Sequence, residues 1–245
     1  MRVDGLTLAL RPRSMAEAAD LGVALVRSHA ASVWRTFLPL YLVIVLLALA
    51  SVEVATWLPG VLIFCVKPWL DRSLLFILSR AVFGQSTRFA DLWRDKGSVW
   101  GGQLLRSLFW RRLSPWRSYT QPIEQLEGQR GSARRKRRDQ LLRGRRGAAS
   151  AMQGAFANVE IALELALLSF ALWFAADGHL LEVLGALGDD ESVARNLAIA
   201  SVYALVVGFL EPFFVGAGFA MYLNRRVELE AWDIEQEFRV AFAAS

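Results

Sequence analysis

The stretch of sequence that decides the fold is FLPLYLVIVLLALASVEVATWLPGVLIFCVKP, residues 37 to 68. It is apolar almost throughout, and a bilayer core about 30 Å thick needs roughly 20 apolar residues of helix. The stretch is therefore too long for one upright helix and short for two. Glu53, Pro59 and Gly60 interrupt its second half. We expect a tight hairpin, with one helix at about 35–51 and a short or re-entrant helix at about 54–67; one long tilted helix is the alternative.

Two further apolar runs follow, at about 152–177 and 196–223. Both are long enough to cross a bilayer, and neither has the polar stripe of a surface helix in a soluble bundle. Hydrophobic residues make up 55% of the chain, against about 45–50% in typical soluble domains. The sequence thus predicts an all-α, polytopic membrane protein with about four membrane segments, of which the first two form a short hairpin.

Basic residues are concentrated before residue 36, between the second and third apolar segments, and after residue 223. The connection between the third and fourth segments has Arg195 as its one basic residue and five acidic ones, Asp177, Glu182, Asp189, Asp190 and Glu191. Cytoplasmic loops of membrane proteins carry the excess of Lys and Arg. All three basic regions lie on one side only if 36–67 enters and leaves the membrane there, which favours the hairpin. We expect a multi-pass protein of the bacterial inner (cytoplasmic) membrane with both termini in the cytoplasm.

The predicted organisation has five parts. These are a cytoplasmic amphipathic helix within 1–35, the membrane hairpin at 36–67, a basic cytoplasmic helical region at 68–151, two transmembrane helices with a short acidic periplasmic loop at 152–223, and a cytoplasmic amphipathic helix at 224–245. Ser14 and Glu17 have the spacing of a capping box, which predicts that the first helix begins there and runs to about Arg35. After Lys67 and Pro68 we expect a separate helix on the cytoplasmic face, over 71–83.

The most basic stretch of the chain lies at 130–146. Basic residues near a membrane surface attract anionic headgroups by about 1 kcal/mol each, and they also attract acidic proteins. The alternative is that they only keep this loop in the cytoplasm. No nucleic-acid-binding motif accompanies them, so we expect no nucleic acid partner. The candidate contacts with lipid or partner are Arg134, Arg135, Lys136, Arg137, Arg138, Arg143, Arg145 and Arg146.

Three carboxylates fall inside the predicted membrane segments. Glu160 and Glu164 share one face of the third segment, and Glu211 precedes Pro212 midway along the fourth. A charged carboxylate at this depth costs about 2.5–3.5 kcal/mol, and no Lys or Arg lies within these segments to pair with it. We therefore expect the carboxylates to be protonated, to face a polar cavity or partner subunit, or to bind a cation. Pro212 frees the carbonyl of Gly208 from its helical donor, which predicts a polar pocket there.

The sequence contains no Ser-His-Asp set, P-loop, dinucleotide fingerprint or HExxH motif. The single Cys65 excludes both a disulfide framework and a multi-thiolate metal site. The two histidines, His29 and His179, fall on opposite sides of the membrane in the predicted topology. We therefore expect no enzymatic activity, no cofactor and no metal.

Several short motifs are spread over most of the chain. They are Leu10-Arg11-Pro12-Arg13-Ser14, Lys67-Pro68-Trp69-Leu70-Asp71-Arg72, Leu126-Glu127-Gly128, Glu211-Pro212-Phe213-Phe214-Val215 and Tyr222-Leu223-Asn224-Arg225-Arg226. In these motifs and their order, the chain resembles the YciC-like bacterial inner-membrane proteins related to the membrane domain of glycerophosphodiester phosphodiesterases. The resemblance implies an all-helical membrane fold without catalytic residues. Proteins of this kind are often found beside a MoxR-type AAA+ ATPase and von Willebrand A-type proteins, which implies work in a membrane assembly.

These observations predict a non-enzymatic integral inner-membrane subunit or scaffold of an envelope-associated complex. Its basic cytoplasmic face is expected to contact anionic lipid headgroups or other membrane or cytoplasmic subunits. The alternative is a small transporter or lipid-handling membrane protein that uses the intramembrane carboxylates Glu160, Glu164 and Glu211.

Overall fold

The computed structural model describes residues 12–101, 114–188 and 192–230, and within these ranges every regular element is a helix. The prediction of an all-α protein is confirmed. The helices are α1 (Met15–Ser28), α2 (Ala30–Ala50), α3 (Leu58–Ala81), α4 (Phe89–Arg94), α5 (Lys96–Trp100), α6 (Arg117–Thr120), α7 (Pro122–Gln125), α8 (Gly131–Leu142), α9 (Arg146–Gly188) and α10 (Val193–Glu230), with a 3₁₀ turn at Ser51–Glu53 after α2.

Three segments of the described chain are long and apolar enough to cross a membrane: Ala30–Glu53, Arg146–Phe170 and Val193–Glu230. They correspond to the first helix of the predicted hairpin and to the third and fourth predicted segments. The start of α3 is also apolar, but Lys67, Asp71 and Arg72 place three charges in its first 18 residues. Three helices of the described chain are therefore long and apolar enough to span a membrane, while a fourth span and the hairpin stay predictions.

The capping box predicted at the start of α1 is confirmed. The Ser14 hydroxyl accepts the Glu17 amide at 3.2 Å, and the Glu17 carboxylate accepts the Ser14 amide at 3.0 Å. The buried positions of α1 recur at helical spacing, which gives the helix one apolar face. That helix ends at Ser28, and α2 begins at Ala30, where we expected one helix continuing to about Arg35.

Helix α3 differs from the prediction. We expected a helix to end at Lys67 and Pro68 and another to begin at Asp71, but α3 runs unbroken to Ala81. A proline inside a helix removes one hydrogen bond and costs roughly 3 kcal/mol. The half of α3 after Pro68 is buried in the protein core, and this packing keeps the helix continuous. The buried apolar residues that hold it are Leu70, Leu74, Leu75, Ile77 and Leu78.

Helix α10 is the centre of the fold and contacts α1, α2, α3, α6 and α9. Helix α9 has 43 residues and lies at the outside, with Ile161, Leu165 and Phe170 exposed. The chain shows no break at 224, because α10 continues to Glu230, so the separate C-terminal helix predicted to begin there is wrong over 224–230. The remainder of that predicted helix, the first eleven residues and the acidic residues 189–191 lie outside the described residues.

Candidate functional site

Five charged side chains from four helices meet inside the protein, and we call them the buried charge cluster: Lys67, Asp71, Arg117, Glu160 and Glu211. The Lys67 ammonium lies 2.6 Å from Glu160 and 3.0 Å from Glu211. The Arg117 guanidinium contacts Glu211 through Nη2, and its Nε lies 3.0 Å from Asp71. The cluster therefore forms an alternating row of negative and positive groups that begins at Asp71 and ends at Glu160.

The fold explains how these residues meet. Lys67 and Asp71 are one turn apart on α3, on the face that packs against α10. Glu211 lies midway along α10, and Glu160 lies on the neighbouring α9. Arg117 is the first residue of the short helix α6, which also packs against α10, and its guanidinium lies 4.9 Å from the ring centre of Phe214.

This arrangement corrects our expectation that no cation pairs with the membrane carboxylates. Lys67 had been assigned to the end of the hairpin and Arg117 to the cytoplasmic region, yet both are buried against Glu211. A charged group is stable in a protein interior only when ion pairs and hydrogen bonds offset the free energy that it loses on leaving water. The one signal in the sequence was the spacing of Lys67 and Asp71, four residues apart in an apolar helix. Nothing in the sequence around Arg117 indicated its partners.

A cavity of about 220 Å³ borders the cluster and is lined by Lys67, Arg117, Glu160 and Glu211 among others. Glu160 is its most accessible acid, with 19% of the side chain exposed. Of the polar atoms that the structure describes here, Arg117 Nη1 and the Gln153 side-chain oxygen are buried without a hydrogen-bond partner. The cavity can thus hold water or a small polar solute. Within the described ranges, no group of three or more His, Cys, Asp and Glu side chains is arranged to hold a metal ion.

The other two residues singled out in the membrane segments lie near this cluster but contribute differently. Glu164 is half-buried one turn after Glu160 and interacts electrostatically with Glu160 and Lys67. Pro212 is buried inside α10. A Cβ atom on Gly208 would lie 2.7 Å from the Tyr41 ring, and the Tyr41 hydroxyl donates to the Ala204 carbonyl at 2.6 Å. The turn before Pro212 is therefore closely packed by α2.

The predicted basic face divides into two groups. Four of its residues form ion pairs within the protein: Arg134 with Glu124, Arg137 with Glu127 and Glu230, Arg138 with Asp139, and Arg145 with Glu228. The other four side chains are exposed and have no ion pair with the described carboxylates: Arg135, Lys136, Arg143 and Arg146. We call this second group the free basic face, although the Arg146 guanidinium also lies 5.9 Å from the ring centre of Trp116.

Arg137 fixes α8 to the C-terminal end of α10. Burial alone lowers the pKa of this guanidinium, but the hydrogen bonds that it donates to Glu127 and Glu230 outweigh burial, so its pKa is raised. Glu127 also accepts the Tyr222 hydroxyl at 2.7 Å. The charge of Arg137 therefore holds the two helices together and is not available to a partner.

Comparison of the chain with models of protein families, with curated proteins and with solved structures found no match. The functional conclusions below accordingly follow from the chemistry of the residues and from their positions in the fold.

Proposed function

We propose that this chain is a non-enzymatic, four-pass integral membrane subunit or scaffold that docks anionic lipid or a partner protein on its free basic face. The observation that carries the proposal is the division of the basic stretch. Four of the eight candidate cations form ion pairs with carboxylates of the chain, while Arg135, Lys136, Arg143 and Arg146 are exposed next to helices that could span a membrane. Such cations strengthen binding to an anionic surface by about 1 kcal/mol each.

Contacts between distant parts of the chain support four passes. The Arg13 amide donates to the Asn224 side-chain oxygen at 2.9 Å, so the start of α1 adjoins the end of α10. Arg137 and Arg145 pair with Glu230 and Glu228 at that same end. We therefore place three regions on the same side of the membrane: the residues before α2, the region before α9 and the end of α10. If α2 crosses the membrane, α3 has to return the chain to that side before α8.

The side chains of α3 suit such a return. Val61 and Phe64, in its first half, are exposed apolar residues suited to lipid. Three of its four charged residues, Lys67, Asp71 and Arg72, are buried within the protein, and Arg80 near its end is half-buried. Charges inside membrane proteins face the bundle interior and pair there. The three buried charges of α3 are thus compatible with a membrane-inserted helix. In a bacterial inner membrane the basic side would be cytoplasmic.

The function is tested by charge reversal on α8. Arg135→Glu/Lys136→Glu is compared with Arg94→Glu/Lys96→Glu, which makes the same charge change at exposed residues of α4 and α5. Each full-length variant is isolated in mild detergent, and its co-purifying proteins are identified by mass spectrometry. Binding to vesicles containing phosphatidylglycerol is measured in parallel.

We expect the α8 variant to lose a co-purifying subunit, or to bind the vesicles at least ten-fold more weakly. The control variant should keep both the subunit and the vesicle affinity. The MoxR-type ATPase implied by the resemblance is one partner to look for. Equal behaviour of the two variants contradicts the docking role and leaves the basic face as a determinant of orientation only.

A second function, transport of protons or small polar solutes, is favoured by the cavity beside the buried charge cluster. Glu160→Gln tests it because this carboxylate is the cluster's accessible end. In proteoliposomes, a transporter would show a proton or solute flux that this variant loses while co-purification is unchanged. Absence of any flux through the wild-type protein contradicts the transport function.

A further inference from the structure

A second cleft, of about 530 Å³, lies between the first turns of α2 and the segment that leads from α3 to α4. None of the buried charge cluster or the free basic face lines it. Its walls carry Arg35, Arg88 and His29, together with serine and threonine hydroxyls, and no Asp or Glu is among the lining residues. Two guanidinium groups and no carboxylate make an environment suited to an anion.

Hydrogen bonds to α2 fix the shape of this cleft. The Ser32 hydroxyl accepts the Thr87 amide at 3.0 Å and donates to the Thr87 carbonyl at 3.1 Å. The Thr36 hydroxyl donates to the same carbonyl at 2.7 Å. These two residues are one turn apart on α2, so they hold the segment around Thr87 firmly against the helix. The two walls of the cleft are therefore preorganised.

The Thr87 hydroxyl itself gives independent evidence for a ligand. Thr87 lines the cleft and is only 4% exposed, and its Oγ1 has no hydrogen-bond partner among the described residues. Native proteins seldom leave a buried hydroxyl unpaired, because the missing bond is unfavourable. An oxygen-rich ligand in the cleft would accept this bond.

The two arginines are available to such a ligand. Arg35 and Arg88 are exposed, and neither forms an ion pair with a carboxylate of the described chain. The nearby Asp91 accepts the backbone amide of Arg88 at 3.0 Å, lies 3.9 Å from the Arg94 guanidinium, and interacts electrostatically with Arg80, Arg94 and Arg88. Arginine suits phosphate in particular, because its planar group donates two parallel hydrogen bonds.

The position of the cleft along α2 points to a lipid as the source of that phosphate. The exposed apolar surface of α2 begins at Leu42 and continues to Leu47. Arg35 precedes Leu42 by seven residues of helix, or roughly 10 Å. Phe89 and Trp93 are exposed beside the cleft and stack with ring centres 6.3 Å apart. Aromatic side chains are enriched at headgroup level, so the cleft lies at the depth of lipid phosphates.

We propose that this cleft binds the phosphate group of an anionic membrane phospholipid, with Arg35, Arg88 and Thr87 as its ligands. The inference rests on the proposed membrane insertion of α2, and it is independent of the docking role of α8. It assigns to the protein a specific lipid site in addition to its general attraction to an anionic surface.

The test is the binding of phosphatidylglycerol to the full chain in detergent, measured by native mass spectrometry. Arg35→Gln/Arg88→Gln is compared with Arg27→Gln/Lys96→Gln, which removes two exposed cations outside the cleft lining. Loss of each arginine should weaken lipid binding about five-fold, so the cleft variant should bind roughly 25-fold more weakly than the wild type. The control should bind like the wild type. Equal weakening in both variants would overturn the assignment.

A further variant tests whether weaker binding reflects misfolding, and comparisons between ligands distinguish a lipid phosphate from free phosphate. Thr87→Val keeps the backbone hydrogen bonds to α2, so it should remain folded and bind several-fold more weakly. Wild-type affinity would overturn the role of this hydroxyl as a ligand.

Phosphatidylcholine should bind more weakly than phosphatidylglycerol, and equal binding contradicts an anionic ligand. Displacement by an equal concentration of inorganic phosphate would identify free phosphate as the ligand and overturn the lipid assignment. Lipid binding lost in Arg135→Glu/Lys136→Glu but kept in the cleft variant would reject the cleft and leave the α8 docking role standing.

Discussion

At the residue scale, Lys67 joins two carboxylates of the buried charge cluster. Its side chain is 2% exposed and lies between Glu160 and Glu211, so one ammonium group compensates two carboxylates from different helices. Arg117 performs the same role between Glu211 and Asp71. Removing Lys67 would leave Glu160 without its ion pair and Glu211 with Arg117 as its cation in the cluster, and removing Arg117 would do the same to Asp71 and Glu211.

We therefore expect Lys67→Met to destabilise the protein by about 3–5 kcal/mol, the usual effect of breaking a buried ion pair by removing one partner. Unfolding in mixed micelles, followed by tryptophan fluorescence, measures the free energy. The matched control is Arg138→Met, because Arg138 pairs with Asp139 at 3.1 Å in an exposed position. That change should have an effect of at most about 1 kcal/mol. Similar stability of the two variants would contradict a structural role for the cluster.

The residue scale is also where the sequence was least informative. Glu160, Glu164 and Glu211 were recognisable because a carboxylate inside an apolar run is rare. Their partners were not, since Lys67 is at the edge of a run and Arg117 is one of many arginines in a basic region. The pairing depends on how α3 and α6 pack against α10, and packing between helices distant in sequence leaves no periodic pattern.

At the element scale, α1 and α10 approach each other closely through glycine. A Cβ atom on Gly22 would lie 2.2 Å from the carbonyl oxygen of Gly216. A Cβ atom on Gly216 would lie 2.6 Å from the Val26 side chain and 2.8 Å from the Gly22 carbonyl oxygen. Small residues at a crossing allow such backbone contact between membrane helices.

Gly22→Ala should therefore force α1 away from α10 and destabilise the protein by about 1–3 kcal/mol, the range for an overpacked contact. Gly154→Ala is the control, because a Cβ atom on Gly154 in α9 meets nothing within 4 Å. Alanine favours a helix by up to about 1 kcal/mol over glycine, so the control should be neutral or stabilising. Thermal unfolding of both variants in detergent measures the difference, and an unchanged midpoint for Gly22→Ala would contradict the close crossing.

Elements marked by local signals were predicted better than those decided by packing. The start of α1 followed from its capping box, and the two long helices α9 and α10 followed from their apolar length. The course of α3 was misread because Pro68 is a local helix-stop signal. Its effect was overridden by burial of the residues after it, which only the assembled core provides.

At the scale of the whole molecule, the number of membrane passes is the main testable feature. With Cys65→Ala as background, single cysteines are introduced at Val54, Asp139 and Gly185. Val54 lies in the connection from α2 to α3 and is 80% exposed, and Asp139 is exposed on α8. An impermeant thiol reagent applied outside intact cells should label Val54→Cys and Gly185→Cys, and Asp139→Cys only after lysis. Protection of Val54→Cys in cells would contradict the four-pass topology.

The contact between Arg13 and Asn224 also has a consequence for biosynthesis. The two residues are 211 positions apart, so at about 5–20 residues per second their emergence from the ribosome is separated by about 10 to 40 s. During that interval α1 has been made, but the helix against which Gly22 packs has not. Its apolar face is therefore without this packing partner until α10 has been made. The first helix of the described chain is thus among the last to reach its final position.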